Sequence, residues 1–258
     1  MPAHRAGLER KNMQSQSYKL IKTAVLACAL ALGGIPTAHA NGRPTGAPGV
    51  FPPQSSPYGK SYAQWSGLSS KFNLELPLAG HPALDTNPVF DASYGQAGRV
   101  WFLVAPFGAL ERWSTIPVGT ALFFVLLNTE CSSLEPPDSG FHGDTAAAQA
   151  ACAKFWSDHI GGVFFLVDGV PVANIGDFRF VSPQYEFDAP TPWIFGETGG
   201  DGTSVADGYD VMVAPLSVGE HTVHYGGAFH FEAGELGPDP VDLPVDMTYH
   251  LTVSPGRP

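Results

Sequence analysis

From Glu220 to Ala233 the side chains alternate strictly. His221, Val223, Tyr225, Phe229 and Phe231 fall on one side, and Glu220, Thr222, His224, His230 and Glu232 on the other. Met247, Tyr249, Leu251 and Val253 alternate with Thr248, His250 and Thr252 in the same way. Successive side chains of a strand point to opposite faces, so the pattern predicts two strands, each with one face in a core and one in water. His221 is the polar exception on the apolar side and is expected to point inward, with His224, His230 and His250 outward.

Elsewhere the apolar positions come as short unbroken runs. Arg99 to Val104 and Thr120 to Leu127 are aromatic and β-branched stretches bounded by Pro106, Pro117 and Gly119, as expected of strands buried on both faces. Val163–Val167 and Val170–Ala173 flank Asp168-Gly169, a dipeptide that accepts the positive φ angles of a tight hairpin turn. Further strands are expected at 178–181, 185–187 and 209–214. Tyr58, Tyr62, Trp65 and Leu68 are three or four apart, which predicts one N-terminal helix over 58–74. Residues 144–159 are alanine-rich and predict a second helix, capped by Asp144 and leaning on the sheet through Ala151, Phe155 and Trp156. Many strands with antiparallel-type turns and two helices predict an all-β fold, an antiparallel sandwich of jelly-roll kind over residues 58–258.

The N-terminus has a different character. A basic stretch ending at Lys22 runs into the apolar Thr23–Leu32 and then Ala38-His39-Ala40, the pattern of a cleaved export signal over 1–40, with Met13 as an alternative start. The apolar run is too short to span a bilayer. Residues 41–57 hold five prolines and are expected to form an extended tether. Removing 1–40 leaves eight basic residues against 23 acids, a field that disfavours nucleic acid and favours cationic partners. Cys28 leaves with the signal, so Cys131 and Cys152 are expected to form a disulfide, as an oxidising compartment permits.

Candidate chemistry is sparse. His230, Glu232 and His250 are candidate ligands for a divalent metal if the last two strands pair as a hairpin, since imidazole and carboxylate suit zinc or copper. Asp201, Asp207 and Asp210 lie in acidic, glycine-rich stretches that offer hard oxygens to calcium. Glu130 with Glu135, or Asp207 with Asp210, are the carboxylate pairs available for acid–base work on a glycan. Trp101, Trp113 and Trp193 are candidates for a sugar-binding surface. Arg112 and Arg179, each beside aromatic residues, need a carboxylate or an aromatic face if half-buried. There is no GxSxG, HExxH, SxxK or phosphate-binding glycine loop in the mature chain.

Three stretches, GQAGRVWFL at 95–103, RWSTIPVGTALFF at 112–124 and ADGYDVMVAPLSVGEHTV at 206–223, resemble a group of uncharacterised exported bacterial β-rich proteins. The resemblance implies export and a β-rich fold over about 62–253 and carries no catalytic residues. The expectation is therefore an exported β-sandwich, periplasmic or secreted, that binds a ligand or an extracellular or envelope surface. The alternative is an exported hydrolase or lyase acting on a glycan or ester through a metal or carboxylates on a polar sheet face.

Overall fold

The structure, a computed structural model, describes residues 49–255; the expected signal and most of the tether lie outside the described residues. Ten strands build two sheets. They are β1 (Val100–Leu103), β2 (Gly108–Pro117), β3 (Ala121–Ser132), β4 (Ile160–Val167), β5 (Val170–Pro171), β6 (Arg179–Val181), β7 (Tyr185–Ala189), β8 (Gly200–Val213), β9 (Gly219–Phe231) and β10 (Val241–Ser254). One sheet has the order β1-β3-β8-β6, with β7 pairing a second stretch of β8; the other has the order β2-β10-β9-β4-β5. The sheets are mixed rather than purely antiparallel, because β1 runs parallel to β3 and β2 parallel to β10. The chain changes sheet between β1 and β2 and again between β2 and β3, so neither early strand can reach its neighbour through a hairpin.

The period-two segments behave as expected. Val223, Tyr225, Phe229, Phe231, Met247, Tyr249, Leu251 and Val253 are buried, and β9 pairs antiparallel with β10. Phe124 of β3 meets Phe165, Tyr225 and Tyr249 across the sandwich at ring separations of 5.3, 5.9 and 5.8 Å. The β4–β5 hairpin turns at Asp168 and Gly169, with φ of 50° and 76°.

Helix α1 (Tyr62–Glu75) lies on the outer face of the first sheet, where Tyr62 stacks on Phe180. Ser61 and Gln64 close a capping box at its start. The packed fold begins before this helix, not at Tyr58. Val50 bridges Val213, Phe51 N donates to Met212 O, and Trp65 Nε1 donates to Pro57 O. Val50 and Phe51 are apolar enough to leave the tether for the core, and proline is tolerated in such an edge segment.

Helix α2 (Ala146–Ser157) contacts β3 and β8, and its Trp156 reaches Phe231 of β9. Its N-cap is Thr145, not Asp144, which instead accepts from His142 Nε2 at 2.9 Å. The face it buries is Gln149, Ala153 and Trp156; Ala151 and Phe155 are exposed. The helix is oriented by the Cys131–Cys152 disulfide, which closes a 21-residue separation and contributes roughly 3 kcal/mol by restricting the unfolded chain. Both helices sit with the first sheet. Among the described residues, neither helix packs on the β2-β10-β9-β4-β5 sheet, and it is called the open sheet below.

Candidate functional site

The open sheet carries His221, His224, His230 and His250. Opposite partners in β9 and β10 are His230 with Asp242 and Thr222 with His250, so the two candidate ligands are eight positions apart along the ladder, roughly 26 Å. The structure does not bring His230, Glu232 and His250 together. A long hairpin sets its turn-end and far-end residues apart, and each histidine takes a carboxylate of its own. His230 Nδ1 lies 2.7 Å from Asp242 Oδ1, His224 Nε2 2.7 Å from Asp246 Oδ1, and His250 Nε2 3.2 Å from Glu111 Oε2. His221 points inward at the rim, held by Asp168 at 2.8 Å. Among the described residues, no three His, Cys, Asp or Glu side chains converge as a metal-binding group.

The calcium candidates are separated as well. Asp201, Asp207 and Asp210 all lie in β8, which begins at Gly200, nine residues before the strand expected from Tyr209. Its glycines make this fit: a Cβ on Gly208 would come within 2.4 Å of Asn128 Cα and Leu127 O, so only glycine lets β8 lie against β3 here. Asp201 faces Asp188 of β7. Asp207 accepts from Arg179 Nε and Nη2, both at 2.8 Å. Asp210 is fully buried beneath α1, beside Ser66, with Asn128 Nδ2 donating to Oδ2 at 3.4 Å.

Buried carboxyls recur on this covered side. Ser204 Oγ donates to Glu130 Oε2 at 2.5 Å. Burial, helped by the nearby Glu135 carboxylate, pushes Glu130 up to about 8. Burial likewise pushes Glu135 and Asp210 up to about 7. These acids hold protons near neutral pH, which the sequence does not disclose because most acids are solvated.

Of the two arginines, Arg179 has the expected carboxylates, Asp207 and Asp158. Arg112 is fully buried and has an aromatic face, with Cζ 4.1 Å from the Phe90 ring centre, but no carboxylate among the described residues. Carbonyls and a phenol take its protons instead: Val104 O, Pro82 O, Asp85 O and Tyr249 Oη. Of the three tryptophans considered for sugars, Trp193 is 2% exposed, Trp101 is half-buried, and Trp113 is 46% exposed and stacked on His250 at 4.6 Å.

A concave feature lies between α1 and β1, where a hollow of about 460 Å³ is floored by Trp65, Leu68, Phe72, Val100 and Phe102. Helical spacing already placed Trp65 and Leu68 on one face; that β1 forms the opposite wall is a tertiary fact. At the rim, Lys71 is tied to Glu75 at 3.0 Å and to Glu186 O at 2.6 Å, whereas Arg99 is exposed and makes no ion pair among the described residues. Gln96 covers the free edge of β1, its Nε2 donating to Phe102 O at 2.7 Å and its Oε1 accepting from Phe102 N at 2.9 Å. A peptide strand cannot add to β1 at Phe102, so the hollow is suited to a ligand held by side chains. No family model, no curated protein and no solved structure matches the chain, so its chemistry has to be read from its own side chains.

Proposed function

We propose that the chain is an exported β-sandwich binding protein whose ligand occupies the hollow between α1 and β1, a small apolar or aromatic molecule bearing one anionic group. One observation carries this reading: an apolar floor of five side chains lies beside an uncommitted cation, Arg99, in a chain where cations are scarce. The volume falls within the range of small-molecule sites, and an apolar floor with few polar groups is their usual chemistry. The disulfide and the signal-like N-terminus support export.

Titration with aryl carboxylates and medium-chain fatty acids, each beside its neutral alcohol, tests it through Trp65 fluorescence and calorimetry. The acids are expected to bind more tightly than the alcohols. Arg99→Gln is expected to weaken the acids by about tenfold and leave the alcohols unchanged. No heat and no spectral change with any member of the panel would sink the proposal.

A second reading, an exported hydrolase or lyase acting on a glycan or ester, draws on the carboxyls of Glu130 and Glu135, which hold protons where a general acid needs them. Turnover of a glycan or ester that is lost in Glu130→Gln, with the variant no less stable than wild type, would move the assignment there.

A further inference from the structure

We propose that Tyr58 is the specificity-determining residue of the hollow between α1 and β1, and that it selects a planar aromatic carboxylate over an aliphatic one. The inference rests on the reading of the hollow as a ligand site and narrows the class of molecule held there. Tyr58 joins the lining of the hollow from the turn that leads into α1.

Its backbone is the unusual feature. Among the described residues, three that are not glycine have positive φ: Tyr58 at 54°, Asp168 at 50° and Asn174 at 53°. Aspartate and asparagine accept this left-handed conformation because their short polar side chains bond locally, whereas a bulky ring is strained by it. Strain of this kind persists where the surroundings fix it. Here Gly59 N donates to Ser56 O at 3.1 Å, Lys60 N donates to Pro57 O at 3.3 Å, and Trp65 Nε1 donates to the same carbonyl at 2.9 Å. Trp65 is part of the floor of the hollow, so the strained turn is fastened to the site itself. Burial does not offset the strain. The Tyr58 ring lies edge-on to Phe51 at 6.0 Å and stays 42% exposed. A costly conformation that holds a ring half in water beside a hollow is explained if the ring meets what the hollow takes up.

The floor is suited to the same partner. Phe102 lies 6.1 Å from Trp65 and 5.3 Å from Phe72, tilted by 55° and 43°, so neither contact stacks one ring face on another. The rings are also held in advance. Gln96 fixes the Phe102 backbone through both of its polar atoms, and Gly95 brings its loop so near Phe72 that a Cβ there would fall 3.2 Å from Phe72 Cε2. Aromatic rings attract one another in offset and edge-on arrangements by more than their buried area accounts for. A planar ligand therefore gains from the floor and from Tyr58 while Arg99 at the rim takes its carboxylate. A saturated ligand of the same skeleton offers only apolar area.

Calorimetric titration of the mature chain with 2-naphthoate and with decahydro-2-naphthoate tests the inference, because the two acids share a carbon skeleton and a carboxylate and differ in aromaticity. The saturated acid is the more hydrophobic, so a merely apolar hollow would prefer it. Naphthoate is expected to bind at least about fivefold more tightly. In Tyr58→Leu that preference is expected to fall below about twofold, and Tyr58→Phe, which keeps the ring, is expected to restore it. Tyr58→Gly takes the left-handed backbone without strain, so it is expected to melt at a higher temperature than Tyr58→Leu and to lose the preference equally. Equal or tighter binding of decahydro-2-naphthoate to the wild type would overturn the inference and leave the hollow a ligand site of another class. A preference that survives in both Tyr58→Leu and Tyr58→Gly would take the selection away from Tyr58. Binding of neither acid would overturn the inference, and would overturn the reading of the hollow as well if the medium-chain fatty acids also fail to bind.

Discussion

Replacement of Arg112 by alanine is expected to lower the unfolding free energy by on the order of 4 kcal/mol. The guanidinium is fully buried and donates to Val104 O, Pro82 O, Asp85 O and Tyr249 Oη, which belong to three separate parts of the chain. Removing it leaves Pro82 O and Asp85 O without their donor and Val104 O with only the 3.3 Å bond from Tyr249 Oη, and opens a gap beside the Phe90 ring. The comparison with Arg112→Lys is informative, because an ammonium keeps the charge but cannot span the same set of carbonyls. Lysine is expected to recover less than half of the loss. Urea unfolding of the three proteins measures this directly. A cost below about 1 kcal/mol for alanine would mean that the loop at 82–85 re-forms its hydrogen bonds without the arginine.

Stability is also expected to fall as the pH rises from about 6.5 to about 8.5. Glu130, Glu135 and Asp210 have carboxyls raised by burial from ordinary values near 4 to about 8, 7 and 7. In this window the folded state still binds protons that the unfolded state has released, so unfolding becomes easier as each folded group titrates. His142, raised by its hydrogen bonds to Glu135 O and Asp144 against the opposing effect of burial, acts in the same direction. His81 opposes it, because burial lowers its affinity for a proton, so that its contribution is lost on acidification through and below its ordinary range. The upper window is therefore free of it. The expected loss between the two pH values is on the order of 2 kcal/mol. Glu130→Gln, which mimics the protonated form, is expected to flatten the curve and to be more stable than wild type near pH 8.5. A free energy that is level or rises across the window would show these carboxyls to be solvated.

What the sequence disclosed and what it hid divide along physical lines. Val223 to Phe231 and Met247 to Val253 were legible because alternation has a single structural meaning, and Asp168-Gly169 because few dipeptides tolerate that turn. The first half of β8 was hidden. Gly200, Gly202, Asp201 and Asp207 are turn formers by local preference, and they pair as strand only because β3 and β7 supply partners from far along the chain. The hollow was half legible: the helical face of Trp65 and Leu68 is local, its opposite wall is not. The burial of Glu130 and Asp210 is not legible, since nothing in their sequence neighbours reveals which distant elements cover them. The metal candidates failed for a simpler reason, that correct facing across a hairpin does not fix position along it.

The sheet partner of β2 is β10, from Gly108 opposite Val245 to Pro117 opposite Ser254. Arg112 and Tyr249, which bond within that pairing, are 137 residues apart. A chain emerging from the ribosome therefore presents β2 long before its ladder exists, and the open sheet cannot close until the last strand is made. Contacts of such long range slow the collapse to the native state, because a large loop has to be closed before any pairing rewards it. Completion of the core waits on β10, so truncation before it leaves β2 without its strand partner and β9 paired on one edge only, and exposes unpaired strand edges in the unfinished chain.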